Sequence, residues 1–217
     1  MLSAGWLSIK VGLVSTALIS IPGVGLAYFL ARCEFVGKSL VQTLVSLPLV
    51  LPPVAVGILL LMALGKNSSI GGLFHDLFGA ELVFTWWAAA IAAAVMSFPL
   101  VVRAAESAFA EVPRRFEQVA QTLGASRLSV FFRISLPLAG RGVLYGLVLA
   151  FARGLGEFGA TIMVAGNIPG KTSTLSLGIY SLYDQGRDYE AMALMGVSLV
   201  LAFMSVLAAQ LWLRRRS

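Results

Sequence analysis

Five long runs of apolar residues constrain this chain more than any other feature. The first, 11–30, holds 20 residues without a charge, and the second, 40–64, holds 25. A helix needs about 20 apolar residues to cross a bilayer, because it rises about 1.5 Å per residue through a hydrocarbon core about 30 Å thick. The chain is 59% hydrophobic and only 12% charged, so it has too few charges to cover a soluble globule. The runs therefore predict an all-α membrane protein.

The predicted transmembrane helices form one domain over 1–217. They lie at about residues 11–30, 40–64, 82–102, 142–166 and 191–213. The intervals between them, including 66–81 and 167–190, are predicted to be loops. The second segment is interrupted by three prolines, Pro48, Pro52 and Pro53. If they divide it into two transmembrane helices, the total number of spans is six. A kinked packing helix is favoured here over a pore-lining hinge.

One long polar interval, 103–141, separates the third and fourth spans. Pro113 can begin a helix there and Gly124 can end it. Apolar residues between them recur at i, i+3, i+4 and i+7, which gives one apolar stripe of Phe116, Val119, Ala120 and Leu123. The opposite side carries Arg114, Arg115, Glu117, Gln118 and Gln121. This pattern predicts a short amphipathic helix that lies at the membrane surface and docks another molecule.

The interval continues with a second helix signal after the glycine. Ser126 can cap a short helix, and Ile134, Leu136 and Pro137 lead back into apolar sequence. The predicted order is therefore helix, glycine break, helix and re-entry into the membrane.

The same interval carries a family resemblance. Two short stretches together resemble the cytoplasmic EAA loop of binding-protein-dependent ABC importer permeases. They are Glu-Gln-Val-Ala-Gln-Thr-Leu-Gly at 117–124 and, after nine intervening residues, Ile-Ser-Leu-Pro at 134–137. In that pattern Gln118, Val119 and Ala120 occupy the Glu-Ala-Ala positions, and Glu117 stands one residue early. The resemblance implies a coupling helix that sits in a groove of the ATP-hydrolysing subunit. The coupling residues it implies are Phe116, Glu117, Gln118, Val119, Ala120, Leu123, Gly124, Ile134 and Pro137.

A narrower resemblance covers nearly the whole length. Four segments look like the corresponding parts of molybdate ABC transporter permeases. They are 150–162 (Ala-Phe-Ala-Arg-Gly-Leu-Gly-Glu-Phe-Gly-Ala-Thr-Ile), 166–175, 47–54 and 96–100. Sulfate permeases share the Phe-Ala-Arg and Gly-Glu-Phe/Tyr-Gly portions, so sulfate or tungstate is the alternative substrate. The resemblance implies an inner-membrane homodimer, an extracytoplasmic molybdate-binding protein and two copies of a cytoplasmic ATPase that holds ATP and magnesium.

Two charges fall inside the fourth predicted span. A charge at membrane depth costs at least about 2.5–3.5 kcal/mol, so it normally pairs or faces a polar interior. Arg153 and Glu157 are spaced i, i+4 and can pair with each other on one helix. Two interpretations stay open, a self-neutralising pair that fixes helix packing and a contribution to the translocation pathway.

Two nucleotide-binding patterns occur in contexts that do not fit them. Gly-x-Gly-x-x-Gly at 154–159 needs a strand before it and a helix after it, yet it lies in an apolar span. Gly-Lys-Thr at 170–172 also follows a predicted span, with Ala165 at the first position of the phosphate-loop pattern. With one cysteine, Cys33, and one histidine, His75, the residues predict no metal, cofactor or catalytic site in this chain.

The basic residues predict the orientation. Segments 31–39, 103–141 and 214–217 hold 11 of the 16 Lys and Arg residues. By the positive-inside rule the loop 103–141 and the C-terminus are cytoplasmic and the N-terminus is extracytoplasmic. The excess of basic residues is thus explained by this orientation in the membrane, where lipid is an expected partner, and needs no nucleic acid.

A secondary transporter without an ATPase is the rival class. Such a protein usually shows internal repeats and carboxylates that bind a coupling ion. The sequence has no evident repeat, and Glu157 is the one carboxylate within a predicted span. A membrane-integral enzyme or a scaffold fits less well, because catalytic residues do not cluster and the amphipathic loop would have no purpose.

Overall fold

The computed structural model describes residues 2–214, and every described element is helical. In chain order the α-helices are α1 (Leu2–Arg32), α2 (Lys38–Val50), α3 (Pro53–Leu64), α4 (Ser69–Phe78), α5 (Trp86–Glu111), α6 (Arg114–Thr122), α7 (Arg127–Val130), α8 (Leu136–Leu155), α9 (Gly159–Ala165), α10 (Leu175–Asp184) and α11 (Asp188–Arg214). A π-helix, Phe131–Ser135, joins α7 to α8. The predicted all-α class is confirmed. Arg215 and Arg216, which entered the orientation argument, lie outside the described residues.

Four described segments are long and apolar enough to cross a membrane. They are Ser3–Arg32, Trp86–Glu111, Arg127–Leu155 and Asp188–Leu207. Helices α2 and α3 make a fifth segment that is bent by 108°. At 13 and 12 residues, neither of these two helices reaches across a bilayer alone. The result agrees with the five predicted spans and not with six.

The bend between α2 and α3 follows from two adjacent prolines. Pro52 and Pro53 have no N–H to continue a helix, and a residue that precedes a proline is driven to extended geometry. Leu51 accordingly has ψ 145° and Pro52 has ψ 129°. Pro53 then begins α3, where a missing N–H costs nothing. The predicted proline kink is therefore a sharp corner.

Helix α5 is the centre of the bundle and packs against α1 and α8. Its first turns are alanines with no exposed surface, and these small side chains let neighbouring helices approach closely. A Cβ built on Gly142 would lie 2.4 Å from the Ala108 Cβ, and one built on Gly146 would lie 2.8 Å from the Ala104 Cβ. The two glycines, spaced four residues apart, thus allow α8 to pack closely against α5.

The predicted polar interval 103–141 is too long. Helix α5 continues without a break through Arg103 and Glu106 to Glu111, and α8 already begins at Leu136. The charged side chains of Arg103 and Glu106 do not end the helix. Its last residue is Glu111, because Val112, which precedes Pro113, is held in extended geometry.

Two short helices occupy intervals that the sequence analysis assigned to loops. The Ser68 hydroxyl accepts a hydrogen bond from the Gly71 N–H at 2.9 Å and so caps α4, which ends at Gly79 with a φ of +64°. Thr174 caps α10 through the Leu177 N–H. These capping residues are local signals that were present in the sequence.

The fourth predicted span, 142–166, is also wrong as a single helix. Helix α8 ends at Leu155 and α9 begins at Gly159. The break coincides with the closely spaced glycines Gly154, Gly156 and Gly159, whose helix propensity is low. Gly159 lies against the corner between α2 and α3, since a Cβ built on it would lie 2.7 Å from the Pro53 Cβ.

Candidate functional site

Helix α6 forms a surface element of the kind that the sequence predicts. It begins after Pro113, and Gly124 follows its end with a φ of +86°, a backbone geometry that favours glycine. The Ser126 hydroxyl then accepts a hydrogen bond from the Ser129 N–H at 3.3 Å and caps α7. The predicted order of helix, glycine break, helix and re-entry is confirmed.

The apolar stripe of α6 is largely left open by the rest of the described residues, 2–214. Phe116 is 43% exposed, Val119 is 58% exposed and Leu123 is 83% exposed. Ala120 is half-buried, and Gln118 on the neighbouring face is exposed. Three large apolar side chains on one short helix therefore form an open surface suited to a partner.

Glu117 points in the opposite direction to the stripe. Only 8% of the residue is exposed, although the sequence analysis placed it on the outer polar side. Its Oε1 atom accepts hydrogen bonds from the Arg32 Nε at 2.9 Å and the Ser135 Oγ at 2.6 Å. The carboxylate therefore faces the body of the protein and not a partner that docks on the stripe.

Arg32 and Glu117 form the centre of an anchor under α6. Arg32 is the last residue of α1, and its Nη2 atom also donates to the Val112 carbonyl at 3.0 Å. Ser135 closes the anchor from the π-helix that leads into α8. One buried ion pair thus connects the end of α1, the end of α5, the surface helix α6 and the start of α8.

Aromatic packing supports this anchor from the membrane side. The ring centroid of Tyr28 lies 5.2 Å from that of Phe109 and 4.8 Å from that of Phe131. Both contacts are edge-to-face, the arrangement that aromatic quadrupoles favour.

The other two predicted coupling residues, Ile134 and Pro137, lie where the surface helices lead into α8. Ile134 is half-buried in the π-helix, and Pro137 is exposed in the first turn of α8.

Arg153 and Glu157 form an ion pair inside the bundle. The Arg153 Nη1 donates to the Glu157 Oε2 at 2.7 Å, as the spacing predicts. Glu157 lies beyond the end of α8, so the two residues do not share one helix. Its Oε1 accepts the Ala160 N–H at 2.9 Å, and only 2% of the residue is exposed. Glu157 therefore satisfies the first turn of α9 as well as balancing Arg153.

A polar contact between α2 and α5 was missed by the sequence analysis. The Gln42 Nε2 donates to the Glu106 Oε1 at 2.6 Å, and the Arg103 Nη2 donates to the Ser46 Oγ at 2.9 Å. Helix α2 has no fully buried residue, so these bonds and the half-buried Val41 and Val45 hold it in place. The available signal was a polar stripe at i, i+3, i+4 and i+7, made by Ser39, Gln42, Thr43 and Ser46.

The residues of the near-miss phosphate loop have internal roles. The Thr172 hydroxyl accepts a hydrogen bond from the Ile168 N–H at 2.9 Å and donates to the Gly166 carbonyl at 3.1 Å. A threonine that serves a phosphate loop keeps its hydroxyl for a magnesium ion. Thr172 instead closes the turn between α9 and α10.

Comparison with known proteins now decides the family. The model of the binding-protein-dependent transport system inner membrane component family matches residues 23–217. This chain belongs to that family. It is 48% identical to the molybdenum transport system permease protein of Escherichia coli (strain K12), over 97% of this chain and 92% of that protein. It is also 36% identical to a sulfate transport system permease protein of Synechococcus elongatus, over 89% of this chain and 69% of that protein.

Solved structures agree on the fold. A methionine ABC transporter in an inward-facing conformation matches with a TM-score of 0.74, over 100% of this chain and 96% of that chain. The sequences are only 16% identical, so the likeness concerns the arrangement of helices alone. The chain is thus an inner-membrane transport permease with the helical fold of that class.

Proposed function

We propose that this chain is the membrane-spanning subunit of an ATP-driven molybdate importer. The observation that carries the proposal is the 48% identity, over 97% of the chain, to a molybdenum transport permease. The 36% identity to a sulfate permease is lower and covers less of that relative. The substrate proposed here is therefore the tetrahedral molybdate dianion, with tungstate as its isostere and sulfate as the alternative.

The proposed energy source is a partner ATPase that docks on α6. A dianion cannot be buried in hydrocarbon without compensation, so uptake needs a protein pathway that alternates between two faces. Phe116, Val119 and Leu123 offer the ATPase an open apolar stripe on a helix that is tied to the membrane helices through Glu117 and Arg32. ATP and magnesium would bind to that partner, while this chain would transmit its movement.

The remaining assembly follows from the same proposal. With α6 on the cytoplasmic side, the C-terminus is cytoplasmic and the N-terminus lies outside, where a molybdate-binding protein would deliver substrate. Two copies of the chain would form the pathway between them, and each would receive one ATPase subunit. An ATPase-independent secondary transporter is the less favoured function, because it gives the exposed stripe of α6 no partner.

The polar contact of α2 and α5 is the proposed inner end of the pathway. Arg103 is exposed and forms no ion pair among residues 2–214, since its hydrogen-bond partners Ser46 and Gln42 are neutral. The charge of Arg103 would attract an oxyanion, although the carboxylate of Glu106 lies in the same polar contact. Residues of this kind in a spanning helix rarely face lipid. Arg153 contributes less in this proposal, because Glu157 balances its charge at 2.7 Å.

Uptake into proteoliposomes tests the substrate. The vesicles would hold this chain with its ATPase and binding protein, and would be supplied with radiolabelled molybdate. The proposal predicts ATP-dependent uptake that excess tungstate abolishes and equal excess sulfate leaves largely intact. Stronger competition by sulfate than by tungstate would assign the system to sulfate, and uptake without ATP would contradict the proposed energy source.

A further inference from the structure

A basic pocket lies under the inner flank of α6, away from its apolar stripe. It has a volume of about 340 Å³ and is lined by the last turns of α1, by α6 and by the first residue of α7. Its lining includes three arginines, Arg32, Arg114 and Arg127, together with Tyr28 and Gln121. Three arginines around one small pocket need an explanation, because like charges repel one another.

The carboxylates near this pocket do not balance its charge. Glu117 is the one carboxylate of the lining, and Arg32 and Ser135 already occupy its Oε1 atom. Outside the pocket, Glu34 is paired with Lys38 at 2.8 Å. The hydrogen bond and charge of Lys38 lower the pKa of Glu34, and Arg114 adds a smaller lowering. Glu34 is therefore ionised at neutral pH but neutralised by Lys38.

Neither Arg114 nor Arg127 forms an ion pair among residues 2–214. The Arg114 Nη2 donates only to the Arg32 carbonyl, at 3.4 Å. The pocket thus holds two guanidinium groups that form no ion pair within residues 2–214, beside amide and hydroxyl groups that can also donate hydrogen bonds. Glu34, which Lys38 already pairs, offers Arg114 only a weaker attraction.

The pocket lies at the end of an apolar helix that is long enough to span a membrane, α1. Leu18, Ile21 and Phe29 form one exposed apolar side of α1, which is suited to lipid acyl chains. Cys33, one turn beyond Phe29, lines the pocket. An acyl chain lying along this side of α1 would bring its headgroup to the pocket mouth.

We infer that this pocket binds the phosphate group of an anionic membrane lipid in the leaflet on the α6 side. Guanidinium groups bind phosphate oxygens through paired, charge-assisted hydrogen bonds, and basic clusters beside a spanning helix attract anionic headgroups. The phosphate would bridge Arg114 of α6 and Arg127 of α7. A bound lipid would therefore hold the surface helices against α1, whichever oxyanion the protein transports.

Lipid retention tests this site. The full chain would be purified from membranes, exchanged into nanodiscs with defined ratios of phosphatidylglycerol to phosphatidylcholine, and analysed for bound lipid by native mass spectrometry. The test variant is Arg114→Gln with Arg127→Gln, which spares the Arg32 anchor. The matched control is Arg115→Gln with Arg133→Gln, which removes two exposed charges that do not line the pocket. We expect at least about tenfold weaker phosphatidylglycerol binding in the test variant and near-native binding in the control.

The remaining outcomes overturn the inference. Equal phosphatidylglycerol binding by the native protein and the test variant would mean that the pocket holds no lipid phosphate. An equal loss in the control would indicate a diffuse charge effect. A second arm adds inorganic phosphate or molybdate to lipid-free protein in detergent. A thermal shift that depends on Arg114 and Arg127, without lipid retention, would assign the pocket to a free oxyanion.

Discussion

At the residue scale, Glu117 illustrates how a side chain can lie in a docking helix and face away from the docking surface. Gln118, which follows it in sequence, is polar and exposed, and the pattern of polar residues in α6 places Glu117 on the same polar side. Its partner Arg32 is 85 residues distant in sequence. No local pattern relates the two residues, so the sequence predicts the helix and its stripe but not the anchor.

The anchor predicts a large and specific loss of stability. Removing one member of a buried ion pair leaves the other unpaired, which costs about 3–5 kcal/mol. Glu117→Ala and Arg32→Ala should therefore each lower the midpoint of thermal unfolding and increase protease cleavage between α5 and α8. The double variant should lose less than the sum of the two single losses, because it leaves no unpaired charge. Additive losses would show that the pair is not coupled.

At the element scale, local signals explain which helices were predictable. The proline and glycine at the ends of α6 are close in sequence to the residues they delimit, and so is the serine that begins α7. Helices α4 and α10 have similar caps, yet their intervals are polar enough to resemble loops. The corner at Pro52 and the break after Leu155 depend on how two elements pack together, which the sequence indicates only through prolines and glycines.

Arg103 provides the prediction that concerns helices α2 and α5. In the proposed pathway Arg103 would donate a charge-assisted hydrogen bond to the passing oxyanion, and such a bond is worth about 1.5–3 kcal/mol. Losing this bond should therefore slow uptake about tenfold or more. Arg103→Gln should show this slower molybdate uptake in proteoliposomes while the ATPase still co-purifies. Arg133→Gln, an exposed charge removed from the π-helix, is the matched control and should transport normally. Normal uptake by Arg103→Gln would remove this arginine from the pathway.

At the scale of the whole molecule, the protein is divided into spanning helices and one surface helix, α6. The apolar runs predicted the spans, because membrane insertion depends on local composition. The anchor of Arg32, Glu117 and Ser135 then joins three elements that meet only in the folded protein. In the proposed mechanism, a movement imposed on α6 would reach α1 and α8 through these short hydrogen bonds.

ATP-dependent molybdate uptake by a variant of the α6 stripe tests this account most directly. Leu123→Asp places a charge at the most exposed position of the stripe that is proposed to contact the ATPase, whereas Leu128→Asp places the same charge on an exposed leucine of α7 outside the stripe. Burying an unpaired carboxylate in an apolar contact costs several kcal/mol, so Leu123→Asp should abolish uptake and ATPase co-purification at normal membrane yield. The Leu128→Asp control should retain both. Normal uptake by Leu123→Asp would contradict the claim that α6 couples this permease to ATP.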